Sequence, residues 1–244
     1  MPKPSESCPA VTCCTLPRVQ TTHEARYMCR VKNDAGVSEK EFNLQVLVPP
    51  SISDKVKDVY QVVTNSTVSI GCPATGKPEP TITWLRNGQP LIADVDDVEF
   101  LADGRQLRVS AVQAFQTGTY SCRAQNSAGE AEKDFRLQVL VPPKISTDLT
   151  TDFEVFVNQP ISIQCPVKGT PMPDVIWMFN GHALSAEGLE QKDIRITRGG
   201  QQMDLTHTLT EHAGTYTCRA ENDAGLDQRD FRVQVFGTYP LIKF

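Results

Sequence analysis

The sequence lacks several features that mark common classes of protein. No apolar run of about 18 residues occurs in its 244 residues, so nothing in it predicts a membrane-spanning helix. The net charge is −5, and no segment has the positive balance that phosphate binding requires, so nucleic acid is disfavoured as a partner. No window of about ten residues has a convincing helical period. These absences favour an all-β chain with no membrane-spanning segment and no nucleic-acid partner.

Catalytic signatures are also missing. The sequence shows no Ser-His-carboxylate signature, no glycine-rich phosphate loop and no paired-carboxylate site, so we expect no enzyme activity and no cofactor. His207 and His212 flank Glu211, but the zinc motif of metalloproteases needs histidines four residues apart on a helix. These two histidines are five residues apart in a strand and loop context, so we expect no metal there.

One acidic run raises the question of calcium. It consists of Asp94, Asp96, Asp97 and Glu99. Several carboxylates on one short segment could bind a hard cation, but the run lacks the glycine and the distant glutamate of a calcium loop. Charges on an edge strand also protect a sheet from aggregation. We therefore predict a solvated edge and no metal site.

The N-terminus lacks the apolar core of a secretory signal peptide. The chain nevertheless contains eight cysteines, which favour an oxidising compartment. We expect that the chain is a piece of a longer protein, or that its first residues come from a misplaced start site.

The sequence does contain an internal repeat. The heptapeptide LQVLVPP occurs at residues 44–50 and again at 137–143, and its proline pair predicts a strand that stops there. Placing Cys29, Cys122 and Cys218 in register aligns YMCRVKNDAG, YSCRAQNSAG and YTCRAENDAG. A period of 93 to 96 residues predicts a tandem array of similar domains.

The second and third copies share a longer pattern. Both contain Cys-Pro-x-x-Gly-x-Pro-x-Pro-x-x-x-Trp, which places Trp84 and Trp177 twelve residues after a cysteine. Alternating segments such as TVSIGC and PISIQC predict half-buried strands, and Asn87-Gly88 and Asn180-Gly181 predict tight hairpins. Seven or so short strands with this spacing predict a β-sandwich of the immunoglobulin type.

These motifs resemble the I-set immunoglobulin family, and in particular the long tandem arrays of hemicentin in the extracellular matrix. The resemblance covers residues 14–236 and is carried by the Gly-x-Pro-x-Pro segments, the Asn-x-Ala-Gly turns and the Val-Pro-Pro-x-Ile junctions. It implies disulfides between Cys72 and Cys122 and between Cys165 and Cys218, each packed against a core tryptophan. It also implies a tyrosine corner in each copy, at Tyr27, Tyr120 and Tyr216.

The chain departs from the family pattern at the corner tyrosine. Family members usually carry aspartate four residues before it, commonly paired with an arginine. That position holds His23, Gln116 and His212, so we expect the ion pair to be lost.

The first copy is incomplete. Residues 14–16 align with the fifth strand of the second copy, and nothing upstream supplies the first cysteine or the tryptophan. We predict a partial domain at 1–48 with strands E to G only and a disordered N-terminus, complete I-set domains at 49–141 and 142–236, and a tail at 237–244. The pairing of Cys8, Cys13, Cys14 and Cys29 stays open.

The resemblance implies a noncatalytic extracellular module that spaces and binds other extracellular or cell-surface proteins, including further copies of itself. The alternatives are the ectodomain of an adhesion receptor and an intracellular muscle scaffold like titin or twitchin. Short Val-Pro-Pro junctions predict a semi-rigid rod. Asn65-Ser66-Thr67 is the sole glycosylation sequon, and we expect it in an exposed turn.

Overall fold

The computed structural model describes residues 15–93, 95, 97–184 and 193–237. Within these ranges the chain is all-β, as predicted, with short 3-10 turns at Thr21–His23, Ala114–Gln116, Arg198–Gly200 and Thr210–His212. None of these turns has the length or apolar character needed to cross a bilayer.

The strands fall into three groups that follow the sequence repeats. The first repeat contains β1 (Ala25–Asn33) and β2 (Gly36–Leu44). The second contains β3 (Val48–Ile52), β4 (Val59–Val63), β5 (Val68–Gly71), β6 (Ala74–Lys77), β7 (Thr81–Arg86), β8 (Gln89–Pro90), β9 (Val98–Leu101), β10 (Gln106–Val109), β11 (Gly118–Asn126) and β12 (Gly129–Ile145). The third contains β13 (Asp152–Phe156), β14 (Ile161–Gln164), β15 (Val167–Thr170), β16 (Asp174–Phe179), β17 (His182–Ala183), β18 (Ile194–Thr197), β19 (Gln202–Leu205), β20 (Gly214–Asn222) and β21 (Gly225–Phe236).

The second and third repeats have the same sheet order. One sheet runs β4-β12-β11-β7-β8 in the second repeat and β13-β21-β20-β16-β17 in the third. The opposite sheets run β5-β10-β9 and β14-β19-β18. Strands β4 and β13 are parallel to their neighbours, whereas the other pairs described are antiparallel. Each complete repeat is therefore a sandwich of two sheets.

Alternating side chains build the core between the sheets. In β5, Val68 and Ile70 are buried while Ser69 between them is exposed, which is the period-2 pattern of a half-buried strand. Their partners from the other sheet include Phe135 and Leu137, which are at most 1% exposed. The third repeat has a core of the same kind.

The predicted hairpins form at both Asn-Gly pairs. Asn87 and Gly88 have φ of 50° and 80°, and Asn180 and Gly181 have φ of 47° and 82°. Both central residues thus lie in the left-handed region that a two-residue hairpin turn requires. These turns join β7 to β8 and β16 to β17.

The prediction that the strand ends at the proline pair is wrong. Strand β12 continues through Pro142 and Pro143 to Ile145, so one strand closes the second repeat and opens the third. The prolines are tolerated because the register opposite β15 shifts between Val141 and Lys144, where the regular ladder is interrupted. At the first junction the prolines lie within β3, with a similar shift opposite β6.

In the described part of the first repeat, the chain forms a hairpin without an opposite sheet. Strands β1 and β2 pair over nine positions, from Ala25 with Leu44 to Asn33 with Gly36. The fifth strand is expected at 14–16, but residues 15 and 16 are not in a strand, because no strand within the described ranges lies beside them to share a ladder. Residues 1–14, which include Cys8, Cys13 and Cys14, and residues 238–244 of the tail lie outside the described part of the chain.

Candidate functional site

A disulfide joins the two sheets of each complete repeat. Cys72 directly follows β5 and is bonded to Cys122 of β11, with the Cα atoms 6.2 Å apart. Cys165 is bonded to Cys218 in the third repeat, with a Cα separation of 6.5 Å. The bonds close loops of 50 and 53 residues, and each stabilises its domain by roughly 4 kcal/mol on the chain-entropy model.

The two tryptophans lie beside these bonds. Trp84 is the ladder partner of Cys122, and its Nε1 donates a hydrogen bond of 2.7 Å to the carbonyl of Gly104. Trp177 faces Cys218 and donates to the carbonyl of Gly200 at the same distance. A buried indole N–H needs an acceptor, so these bonds allow the ring to fill the core without a desolvation penalty.

A tyrosine corner is present in each repeat. The hydroxyl of Tyr120 donates to the carbonyl of Gln116 at 2.9 Å, and that of Tyr216 donates to the carbonyl of His212 at 3.2 Å. Burial raises the pKa of Tyr216 well above its ordinary range, so its hydroxyl stays a donor. Tyr27 makes the same bond to the carbonyl of His23, at 2.7 Å.

The residues that replace the usual aspartate have a different role from an ion pair. The Nδ1 of His212 accepts a hydrogen bond of 3.0 Å from the backbone N–H of Leu209, three residues earlier. The Oε1 of Gln116 accepts from the N–H of Gln113 at 2.7 Å. These contacts close the 3-10 turn whose carbonyl receives the tyrosine hydroxyl. Gln20 and His23 repeat them in the first repeat.

An asparagine clamps the chain at the first domain junction. The Nδ2 of Asn126 donates to the carbonyls of Val48 and Pro78, both at 2.8 Å. Its Oδ1 accepts from the N–H of Ala128 at 2.8 Å. One side chain therefore joins the Asn-x-Ala-Gly turn, the Val-Pro-Pro segment and the Gly-x-Pro-x-Pro segment.

The second junction has the same clamp. The Nδ2 of Asn222 donates to the carbonyls of Val141 and Pro171, at 2.9 and 2.8 Å. Its Oδ1 accepts from the N–H of Ala224 at 2.9 Å. The three sequence motifs that recur along the chain thus meet at one point in each complete repeat.

A glycine makes room for each clamp. A Cβ on Gly76 would lie 2.9 Å from the Nδ2 of Asn126 and 3.3 Å from the Cα of Pro50. A Cβ on Gly169 would lie 3.0 Å from the Nδ2 of Asn222. Any side chain at these glycines would push the clamp apart, which explains the glycine at the start of Gly-x-Pro-x-Pro.

The two junctions differ in charge. Lys77 forms an ion pair with Glu24, which links the second repeat to the first. The corresponding positions at the second junction hold Thr170 and Thr117. The exposed Lys77 pair contributes at most about 1 kcal/mol, because solvent screens it.

Sequence reasoning identified the asparagine turn but missed the clamp. The Asn-x-Ala-Gly pattern predicts only that Asn126 and Asn222 lie in hairpin turns, because the turn is a local pattern. Their acceptors lie 78 and 81 residues earlier in the chain. The signal that could have revealed the clamp is the joint recurrence of all three motifs at the same spacing.

The remaining candidate residues are not brought together. Cys29 is exposed and has no disulfide partner in the described ranges. His207 is exposed, whereas His212 is buried in its turn. Glu99 pairs with Arg108 at 3.7 Å, and Asp94 and Asp96 lie outside the described residues. Across the described ranges, no group of three or more His, Cys, Asp or Glu side chains could hold a metal.

The repeats match two family profiles. Residues 50–139 match the immunoglobulin I-set domain, and residues 142–222 match an immunoglobulin domain. The domain boundaries at 48/49 and 141/142 stay a prediction.

Known proteins of similar sequence include hemicentin-1, the limbic system-associated membrane protein and the neuronal cell adhesion molecule. The chain is 37% identical to hemicentin-1 of Mus musculus over 224 residues, which are 91% of this chain and 4% of that protein. It is 32% identical to the limbic system-associated membrane protein of Rattus norvegicus, over 86% of this chain and 60% of that protein. The chain thus spans only a small part of hemicentin-1.

Solved structures share the fold. A titin I-band fragment superposes with a TM-score of 0.78 at 22% identity, over 90% of this chain and 77% of the fragment. At this identity the likeness concerns the fold alone.

Proposed function

Because the chain belongs to the immunoglobulin domain family, we propose that it is a noncatalytic extracellular module of a hemicentin-like tandem array, which spaces and binds other proteins. It is related to hemicentin and to cell-adhesion molecules. Its partners are matrix or cell-surface proteins.

The observation that carries the extracellular location is the disulfide in each complete repeat. Cys72 with Cys122 and Cys165 with Cys218 join opposite sheets at the centre of a sandwich. Such bonds persist outside the cell and in the secretory pathway, whereas the cytosol keeps thiols reduced. In an intracellular scaffold, we would expect these four cysteines to be reduced.

The test is the redox state of the native protein. Protein from cells that express it naturally is alkylated before reduction and analysed by mass spectrometry, and we expect all four cysteines to be protected. Four alkylated cysteines would overturn the extracellular location and favour a muscle scaffold of the titin or twitchin type.

The spacing role rests on the junctions. No linker separates the second and third repeats, because β12 serves both, and each junction is tied by an asparagine clamp. We expect the two complete repeats to behave as a semi-rigid unit in solution. Small-angle scattering would give a single narrow distribution of sizes, and a broad distribution would contradict spacing by a stiff rod.

A second candidate is the ectodomain of a cell-adhesion receptor. The similarity to the limbic system-associated membrane protein and to the neuronal cell adhesion molecule favours it. The complete transcript distinguishes the two, because a receptor requires a membrane anchor and a matrix array requires further repeats and no anchor.

A further inference from the structure

We propose that Asn65 carries an N-linked glycan, and that this glycan shields the free edge of strand β4 from pairing with other chains. The inference rests on the proposed extracellular function, because N-glycosylation occurs in the secretory pathway. It rests on two independent observations: the turn that exposes Asn65, and the lack of charged side chains on the outward face of edge strand β4.

The turn presents Asn65 to solvent. It lies between β4 and β5, with a φ of 66°, and its side chain is exposed. Its Oδ1 accepts a hydrogen bond of 2.9 Å from the Nε2 of Gln113, while no described residue accepts one from its Nδ2. The sequon residue Thr67 is exposed as well. The hydrogen bond to Oδ1 therefore fixes the orientation of the Asn65 side chain, while its Nδ2, the atom that would receive the sugar, stays accessible.

The third repeat contains the same turn without the sequon. Asn158 also has a φ of 66° and is exposed. Its backbone N–H donates to the carbonyl of Thr208 at 2.8 Å, and the N–H of Asn65 donates to the carbonyl of Val112 at the same distance. Gln159 and Pro160 follow it, so no sequon exists there. Since the same backbone turn forms around Gln159 and Pro160, the turn itself does not require Ser66 and Thr67.

The strands before these two turns differ in charge. Both are edge strands, since among the described strands β4 pairs with β12 alone and β13 with β21 alone. The outward side chains of β4 include Val59, which is 51% exposed, and Val63, which is 38% exposed. Gln61 lies between them, so no outward position of β4 is charged.

Strand β13 has carboxylates at the matching positions. Val59 pairs with Arg136 and Asp152 pairs with Arg232, at equivalent points of the two sheets. Asp152 therefore corresponds to Val59, and Glu154 to Gln61, and both acidic residues are exposed.

This difference matters because an exposed edge strand is a template for pairing with another chain. Charged side chains block such pairing, and the third repeat has them. Asp58, just before β4, is held by Lys133 at 3.0 Å and lies at one end of the strand. At the other end, a glycan two residues beyond Val63 would add a bulky, hydrated group. The two repeats thus protect the same edge by different means.

The first experiment measures the glycan. The full chain is expressed behind an added leader in eukaryotic cells, and the secreted protein is weighed before and after peptide-N-glycosidase treatment. We expect a mass loss that both Asn65→Gln and Thr67→Ala abolish. Secreted, disulfide-bonded protein without a glycan would overturn this inference and leave the proposed function standing. Free core cysteines in the native protein would overturn the proposed function itself.

The second experiment measures the shielding by light scattering. We expect Asn65→Gln to associate as its concentration rises, while the glycosylated protein stays monomeric. Adding Val59→Asp and Gln61→Glu, which copy β13, should restore the monomer. As a matched control, Asp152→Val with Glu154→Gln should induce association in the glycosylated protein, and thermal melts verify that each variant is folded. A glycan-free protein that stays monomeric at all concentrations would overturn the shielding role.

Discussion

The hairpins β1–β2 and β11–β12 have the same motif, the same turn and the same nine-pair register, but different surroundings. In β11–β12, Ala124 is fully buried and Phe135 is 1% exposed. In β1–β2, the matching residues Val31 and Phe42 are 62% and 50% exposed. Local sequence is therefore sufficient to specify a hairpin. A core requires a second sheet, which only distant sequence can provide.

The cysteines show the same contrast. Cys122 is fully buried and bonded to Cys72, whereas Cys29 occupies the equivalent position with an exposed side chain. Substitutions at matched positions of the two hairpins should therefore differ in effect, and the next three predictions use this comparison.

The largest difference is expected at the disulfide. Replacing Cys72 and Cys122 together by alanine should lower the free energy of unfolding of the second repeat by about 4 kcal/mol, because the unfolded chain regains the freedom of a 50-residue loop. Cys29→Ala should change it by less than about 0.5 kcal/mol. Urea unfolding measures both, and equal losses would contradict the comparison.

The next difference is expected in the core. Leu137→Ala should cost about 3 kcal/mol, because it leaves a cavity at a fully buried site. Leu44 is the matching residue of the first hairpin and is only half-buried, so Leu44→Ala should cost much less. A thermal melt of each variant checks this, and similar shifts in Tm would mean that the first hairpin has an apolar partner.

A smaller effect is expected at the clamp. Asn126→Ala removes two donated bonds and one accepted bond, and it should cost about 2 kcal/mol. Asn33 is the matching residue of the first hairpin. Among the described residues, its Oδ1 accepts only from the N–H of Ala35, so Asn33→Ala should be nearly neutral. Denaturant unfolding gives the values. Small-angle scattering on Asn126→Ala should also show a wider range of domain arrangements at the first junction. An unchanged scattering profile would mean that the clamp does not contribute to the spacing role.

The smallest effect concerns pH, and it compares the two sandwiches. Asp204 in β19 lies where β10 has Arg108, and both face an opposite charge across the ladder. Burial raises the pKa of Asp204, but hydrogen bonds from Ser162 and Gln202 and the charges of Arg195 and Arg198 outweigh it and lower the pKa.

A lowered pKa adds stability above the ordinary value near 3.9, and this stability disappears as the pH falls through the folded-state pKa. Asp204→Asn should therefore cost less than about 1 kcal/mol at pH 7, and its difference from the parent should shrink as the pH falls below that ordinary value and vanish below the folded-state pKa. Unfolding across this pH range checks the sign, and a difference that grows on acidification would contradict it.

Local patterns in the sequence were sufficient for much of the fold. The alternation in TVSIGC predicted β5, and Asn87-Gly88 predicted the turn before β8. Prediction from local patterns failed where the structure depends on residues that are distant in the sequence. The continuation of β12 through Pro142 depends on a shift opposite β15, and the acceptors of Asn126 belong to other parts of the domain. Within the described ranges, the expected strand near Leu16 has no neighbour to pair with, which a local pattern cannot reveal.

Strand β12 belongs to two domains at once, so its length determines how far one domain is rotated relative to the other about the strand axis. Side chains alternate strictly along a strand, so inserting one residue between Leu140 and Lys144 would turn every later side chain of the strand to the opposite face. Ile145 would leave the core of the third repeat, and the clamp on Val141 would lose its position. The cores of both domains therefore fix the length of this segment. In a tandem array built this way, the number of residues in the shared strand determines the rotation from one domain to the next.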